Sequence, residues 1–158
     1  MFAWHGCPAD HVRHVLRDGP RSLRFTDGGF FASGSYAALE LDYASRYALL
    51  KPAENGDCTV ILFAVFLSAA YVITHRDYHP DDTSTPNHLR GFSKFYSPDA
   101  QHAVALMPRY DAHFIPVKRF GKVHPVSGMP LTVDVDFQAV REEDATGHEL
   151  VLQVRTID

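Results

Sequence analysis

The order of the secondary-structure signals is the feature that most limits how this chain of 158 residues can fold. Two helical patterns occupy the first third, whereas the later apolar segments have the length and residue types of β-strands. In one of them, residues 131–137, apolar and polar residues alternate, which is typical of a strand with one solvent-facing side. The sequence therefore predicts an α+β fold with its helices in the first third and antiparallel β-sheets thereafter.

The first third is predicted to run strand, helix, strand, helix. Residues 2–5 have a strand pattern, and residues 8–18 form a helix that begins at a proline and that Gly19 can end. Strand-like segments follow at residues 22–25 and 30–33, after which Ser35 is predicted to cap a second helix that reaches Leu50. Further strands are predicted at residues 59–67, 71–74, 103–107, 113–118, 131–137 and 150–157, and the polar residues 75–88 are predicted to form a loop.

Length and charge restrict the class of protein. Residues 1–158 are enough for one compact domain and are predicted to form a single one. Because 19 acidic side chains outnumber 15 Lys and Arg, neither nucleic acid nor a membrane surface is expected to be the main partner. The longest apolar stretch is shorter than the roughly 20 residues that span a bilayer, and the first residues lack a secretory pattern. These features predict a cytoplasmic protein, or an effector exported without a conventional signal peptide.

Three motifs occur in order in the first third. A His-Gly-Cys sequence stands at residues 5–7, a Gly-Gly-Phe-Phe-Ala-Ser sequence at residues 28–33, and Tyr43 and Tyr47 lie in the second predicted helix. In this order the motifs resemble the ADP-ribosyltransferase fold of the poly(ADP-ribose) polymerase and diphtheria-toxin branch. That branch has His-Gly-Thr or His-Gly-Ser on its first strand, a Gly-x-Tyr-Phe-Ala strand, a helix with a further Tyr, and a late-strand Glu followed by an aromatic and apolar residues. The resemblance is loose after residue 50.

The resemblance implies that the substrate is NAD. Cleavage of the bond between nicotinamide and ribose passes through a state with positive charge on the sugar, so the site must hold the leaving group and stabilise that charge. By the resemblance, the backbone of Gly6 would bind the nicotinamide carboxamide, and His5 would bind a hydroxyl of the adenine-side ribose. Phe30 and either Tyr36 or Tyr43 would pack against the nicotinamide ring, with Phe30 and Tyr43 about two residues farther apart than in the family.

The sequence departs from the family pattern at the catalytic acid. His113, followed by Phe114 and Ile115, is the predicted counterpart of the late-strand Glu. Asp111 on the same strand face is the alternative acid, and Glu40 is a third candidate. A histidine lacks the fixed charge that positions a second ribose, so we expect a mono-ADP-ribosyltransferase that acts on a protein or other macromolecule, such as a toxin or effector. A catalytically impaired module that binds NAD or ADP-ribose is the alternative.

Metal and thiol chemistry have less support in the sequence. His75 and His79 lie in the predicted polar loop, and His11 and His14 have no third ligand spaced to join them, so no metal site is predicted. Cys7 stands where the family has Thr or Ser, and it is expected to be structural.

Overall fold

The fold is described by a computed structural model for residues 1–20, 29–74, 77, 94–96, 101–119, 137–139 and 142–152. Over these ranges the chain forms two α-helices and one seven-stranded sheet, which confirms the predicted α+β class. The helices are α1 (Ala9–Asp18) and α2 (Leu41–Leu49), and the strands are β1 (Phe2–Gly6), β2 (Ser35–Ala38), β3 (Val60–Ala64), β4 (Ala70–Val72), β5 (Ala112–Arg119), β6 (Phe137–Ala139) and β7 (Gly147–Leu152). Among the described residues, no helix is long and apolar enough to cross a membrane.

The strands follow the order β3-β1-β2-β7-β5-β4 across the sheet, and β6 pairs with the C-terminal half of β5. All pairs are antiparallel except β4 with β5, which run parallel. The prediction of antiparallel sheets is therefore wrong for this one pair. A parallel pair needs a crossover connection of a dozen or more residues, and the chain between β4 and β5 is long enough to supply one.

Local patterns predicted the first two elements closely. β1 extends one residue beyond the predicted strand, to Gly6, and α1 begins directly after Pro8. Gly19, which follows α1, has φ of 74°, in the left-handed region that favours glycine. The strand predicted at residues 113–118 is β5. The last predicted strand overlaps β7, which begins earlier, at Gly147.

The segment around Tyr36 differs from the prediction. Residues 30–34 form bends instead of a strand, and Ser35–Ala38, predicted as the start of the second helix, is strand β2. The Tyr36 hydroxyl accepts a hydrogen bond from the Phe31 N–H at 2.8 Å and donates one to the Ala32 carbonyl at 2.7 Å. These bonds close the bend, and β2 pairs with a strand on each side. Cross-strand pairing of this kind outweighs the helical spacing of the side chains.

Several other predictions have a different outcome. Residues 103–107 do not form a strand, and β3 and β4 are shorter than predicted. The predicted strand at residues 22–25, most of the strand at 131–137 and the end of the strand at 150–157 lie outside the described residues. The same holds for the predicted loop at 75–88 apart from Asp77, whose carboxylate pairs with Lys94 at 2.8 Å.

The strand register divides the side chains between two faces of the sheet. Directly paired residues share a face, so Glu149 of β7 lies between Ala38 and Ile115 on the face that α2 covers. α2 comes close to β1 at Gly6, where an added Cβ would lie 1.9 Å from the Ala44 carbonyl oxygen. Only glycine permits this approach. The opposite face holds a second apolar cluster, which contains Ala3, Ala37, Val65, Ala112, Leu150 and Leu152.

Candidate functional site

A cleft of about 1010 Å³ is bounded by the two helices and by the face of the sheet that α2 covers. Parts of β1 and β2 and the bend after residue 29 complete its walls. It is lined by all five residues that the sequence predicted to bind NAD, namely His5, Gly6, Phe30, Tyr36 and Tyr43. The fold therefore brings these predicted site residues together around one concave surface, the kind of place where small ligands bind.

Glu149 of β7 lines the same cleft. It is only 4% exposed, and it accepts a hydrogen bond from the Tyr43 hydroxyl, with 2.6 Å between Tyr43 Oη and Glu149 Oε2. The Tyr47 hydroxyl lies 3.3 Å from the Tyr43 hydroxyl. Burial raises the pKa of Glu149 to about 7, and the hydrogen bond from Tyr43 opposes part of that rise. A carboxyl group that titrates near neutral pH in a cleft is typical of a group used in catalysis.

The strand that carries Glu149 is attached to the start of α2. His148 donates its backbone N–H to Glu40 Oε2 at 2.7 Å, and its ring Nδ1 lies 2.6 Å from Glu40 Oε1. The second ring nitrogen lies 2.8 Å from Glu142 Oε1. Burial by itself lowers the pKa of His148, but the bonds to the two carboxylates raise it above its ordinary value. Because Glu40 immediately precedes α2, this contact holds the helix with Tyr43 against the strand with Glu149.

His5 is oriented by the neighbouring strand. Its ring Nδ1 donates a hydrogen bond to the Tyr36 carbonyl at 2.6 Å, since a carbonyl can only accept. In the neutral ring, Nε2 is then the nitrogen that can accept. β1 and β2 pair at Trp4 and Ala38. Beyond that pair, the hydrogen bond from the His5 ring to the Tyr36 carbonyl continues the contact between the two strands. The next residue along β1 is Gly6, which presents its backbone to the cleft.

Phe30 and Tyr36 are two of the aromatic residues that line the cleft, and neighbouring groups hold both rings in place. The Phe30 ring stands edge-on to the rings of Phe31 and Tyr96, with centroids 4.8 Å and 5.6 Å away. The Tyr36 hydroxyl bonds to the backbone of the bend before β2. Rings held in this way are suited to packing against a planar ligand.

Basic side chains from both helices line the cleft: His11, His14 and Arg17 of α1 and Arg46 of α2. Asp18 also lines it and pairs with Arg17 at 2.9 Å. Guanidinium groups bind phosphates well, so this composition suits an anionic ligand. Over the described ranges, no group of three or more His, Cys, Asp or Glu could hold a metal ion. Burial raises the pKa of the Cys7 thiol, which disfavours the reactive thiolate.

The structure places His113, the predicted catalytic residue, behind the cleft wall. The residue is 0% exposed, and its ring lies 4.4 Å from that of Phe95. Nε2 accepts a hydrogen bond from the Met107 N–H at 2.8 Å, so Nδ1 carries the proton and donates it to the Phe31 carbonyl at 2.9 Å. Burial lowers the pKa of this ring and keeps it neutral. His113 therefore supports the bend beside the cleft and does not line it.

The two other candidate acids also lie away from the cleft lining. The Asp111 carboxylate accepts hydrogen bonds from the backbone and hydroxyl of Ser68 and from the Ala69 N–H, so it anchors the turn before β4. Glu40 is bound to His148, as described above. His113 pairs with Val151, two residues along β7 from Glu149, so the two side chains share a face of the sheet but lie at different positions along it.

The sequence prediction missed Glu149, although a signal for it was present. Residues 149–152 read Glu-Leu-Val-Leu, a single acid that directly precedes the apolar start of the last predicted strand, residues 150–157. His113 was predicted instead because Phe114 and Ile115 match the aromatic and apolar residues that follow the catalytic position in the family. A charged residue within an otherwise buried strand is the stronger indication, because such a charge is rarely kept without a use.

Comparison with known proteins adds no relative to this description. No protein-family model matches the chain, and no curated protein matches it. The cleft itself is therefore the basis for assigning a function.

Proposed function

We propose that this protein is an NAD-dependent ADP-ribosyltransferase, with Glu149 in place of His113 as the catalytic residue. The position of Glu149 supports the proposal most directly, since a buried carboxylate on a late strand shares a cleft with His5 and Gly6. In the family that the sequence resembles, a His-Gly pair and a late-strand Glu form the active site.

The structure also suggests a better match to the family's second motif. β2 and the residue before it read Gly-Ser-Tyr-Ala-Ala, which fits Gly-x-Tyr-Phe-Ala except for Ala37. Tyr36 and Tyr47 are then two residues closer together than Phe30 and Tyr43, which removes the excess spacing noted in the sequence. In this alignment Tyr36 and Tyr47 pack against nicotinamide, and Tyr43 is the residue that contacts Glu149.

The proposed chemistry follows from the charges in the cleft. Loss of nicotinamide leaves positive charge on the ribose, and the Glu149 carboxylate would stabilise that charge and accept a hydrogen bond from a ribose hydroxyl. The Gly6 backbone would hold the leaving carboxamide in place. Arg17 and Arg46 would face the diphosphate, the most strongly charged part of NAD.

The acceptor is proposed to be a protein or another macromolecule. The expectation of a single transferred unit depended on a histidine as the catalytic residue, and Glu149 removes that reason. Mass spectrometry of a cell lysate incubated with labelled NAD would identify the acceptor and count the ADP-ribose units on each site.

The first test is nicotinamide release from NAD by the wild-type protein and by Glu149→Gln. We expect release by the wild type and a loss of 100-fold or more, about 3 kcal/mol of transition-state stabilisation, in the variant. NAD affinity, measured by isothermal titration, should change little. Glu54→Gln, an exposed site outside the cleft, is the matched control and should behave as the wild type.

Two results would contradict this assignment. If the wild type binds NAD but releases no nicotinamide, the protein is a binding module with the same cleft. If neither NAD nor ADP-ribose shifts its unfolding temperature, the cleft has another ligand.

A further inference from the structure

Tyr43, Tyr47 and Glu149 are joined in a way that the proposed function does not require. We infer that the hydroxyl groups of Tyr47 and Tyr43 form a chain that holds the Glu149 carboxylate in place and favours its ionised form against the effect of burial, so that rising pH switches on turnover in the cleft. This inference rests on the proposed function. It makes Tyr43 a positioning residue that acts through Glu149.

The direction of the hydrogen bonds follows from the chemistry of the groups. A carboxylate can only accept, so the single proton of the Tyr43 hydroxyl points to Glu149 Oε2, 2.6 Å away. The Tyr43 oxygen can then accept from Tyr47, whose hydroxyl lies 3.3 Å away. Tyr43 is 4% exposed, whereas Tyr47 is 38% exposed. The chain therefore runs from solvent to the buried acid.

The groups around Glu149 explain why the hydrogen bond from Tyr43 matters for its ionised form. On the same face of the sheet, its direct neighbours on β2 and β5 are the apolar residues Ala38 and Ile115. Within the part of the chain that the structure describes, Tyr43 is the hydrogen-bond donor to this carboxylate, and no cation forms an ion pair with it. The other titratable or charged side chains lining the cleft are Arg46 of α2, Tyr36 of β2, and Cys7, His5, His11, His14, Arg17 and Asp18 from β1, α1 and the residues between them.

This arrangement predicts how the pKa of Glu149 responds to substitution. Burial raises it to about 7, and the hydrogen bond from Tyr43 works against that rise. Tyr43→Phe keeps the ring and removes the donor, so burial acts unopposed. A hydrogen bond to a charged group is worth enough to move the titration of Glu149 upward by about one to two pH units. A tyrosine that only packs in the core would produce no such change.

The experiment follows the titration of Glu149 directly, by NMR of the glutamate carboxyl carbons in uniformly labelled protein. Comparison with Glu149→Gln identifies the resonance. We expect a midpoint near 7 in the wild type, a midpoint about one to two units higher in Tyr43→Phe, and a smaller shift in the same direction in Tyr47→Phe. The pH profile of nicotinamide release should move by the same amount, with activity recovered at high pH.

Tyr110→Phe is the control, because this tyrosine packs against Tyr71 outside the cleft. It should leave the titration unchanged. Circular dichroism verifies that each variant is folded. An unchanged Glu149 midpoint in folded Tyr43→Phe overturns the inference, whether or not the protein cleaves NAD. Absence of nicotinamide release from the wild type at every pH contradicts the proposed function instead, and the carboxyl titration still decides the role of Tyr43.

Discussion

A carboxylate buried in the middle of a sheet is destabilising when it is charged, because one hydroxyl donor replaces a full shell of water. Glu149 is in this situation, with Tyr43 as its donor. Its pKa in the folded protein is about 7, above the value of 4.5 expected in the unfolded chain. Folding therefore favours the protonated form. This relative stabilisation of the folded protein is complete at pH values below the unfolded pKa of 4.5, and it is lost as pH rises through the folded pKa of about 7.

Glu149→Gln should therefore stabilise the protein at the same time as it removes activity. At pH 8 the wild type bears the cost of the buried charge, which the pKa difference sets at about 3 kcal/mol, and the neutral amide does not. Urea unfolding should show a more stable variant at pH 8 and a much smaller difference at pH 4.5. Equal stability of the two proteins at pH 8 would mean that Glu149 is not held in a costly environment.

At the scale of elements, the contact of β7 with the start of α2 determines how the cleft is closed. The side chain of Glu40 bonds to both the backbone and the ring of His148, and Glu142 holds the ring from the other side. The pKa of His148 is raised by these carboxylates above its ordinary value of 6.5. The stabilisation that this contact provides is therefore fully present below pH 6.5, and it is lost as pH rises through the folded pKa of His148.

Glu40→Gln should lower stability more at pH 5.5 than at pH 8.5, because only the protonated ring forms an ion pair with the carboxylate. A loss of about 0.5 to 1 kcal/mol is expected at the lower pH, in the range of partly exposed ion pairs. Urea unfolding at the two pH values measures the difference, with Glu54→Gln as the exposed control. A larger loss at pH 8.5 would show that His148 is neutral in this contact.

At the scale of the whole molecule, the cleft separates the packed sheet from helix α1, which lies at the surface. α1 has no buried residue. Its start is held by Lys51, which pairs with Asp10 at 2.6 Å and accepts a backbone hydrogen bond from Ala9. The cleft lies beside His11, His14 and Val15 of this helix. A ligand in the cleft would therefore bury side chains of α1 that are not buried in the free protein.

Hydrogen exchange should be slowed in α1 when NAD or ADP-ribose is bound. With ligand at 100 times its dissociation constant, global stability should rise by roughly 2.7 kcal/mol, and the amides of α1 should gain protection beyond that shared by the sheet. Mass spectrometry of exchanged peptides measures both the rise in global stability and the additional protection of α1. If β3 and β4 gain protection while α1 does not, the ligand binds elsewhere.

Much of the fold could be predicted because its signals are local. The proline before α1, the glycine after it and the spacing of its apolar residues act within one segment, so its bounds were predicted to within a residue. The same applies to β1 and β5. His5 and Gly6 were selected as site residues by a short motif, and the fold places both in the cleft.

The amino-acid sequence by itself determined the α+β class, the first strand and helix, and five residues that line one cleft. Tertiary structure decided the rest, because it depends on which strands become neighbours. Pairing of Ser35–Ala38 with β1 and β7 turns a helical pattern into a strand, and the register of β7 against β5 separates Glu149 from His113. A two-residue offset along neighbouring strands leaves Glu149 in the cleft and His113 behind its wall, and no local pattern contains that choice.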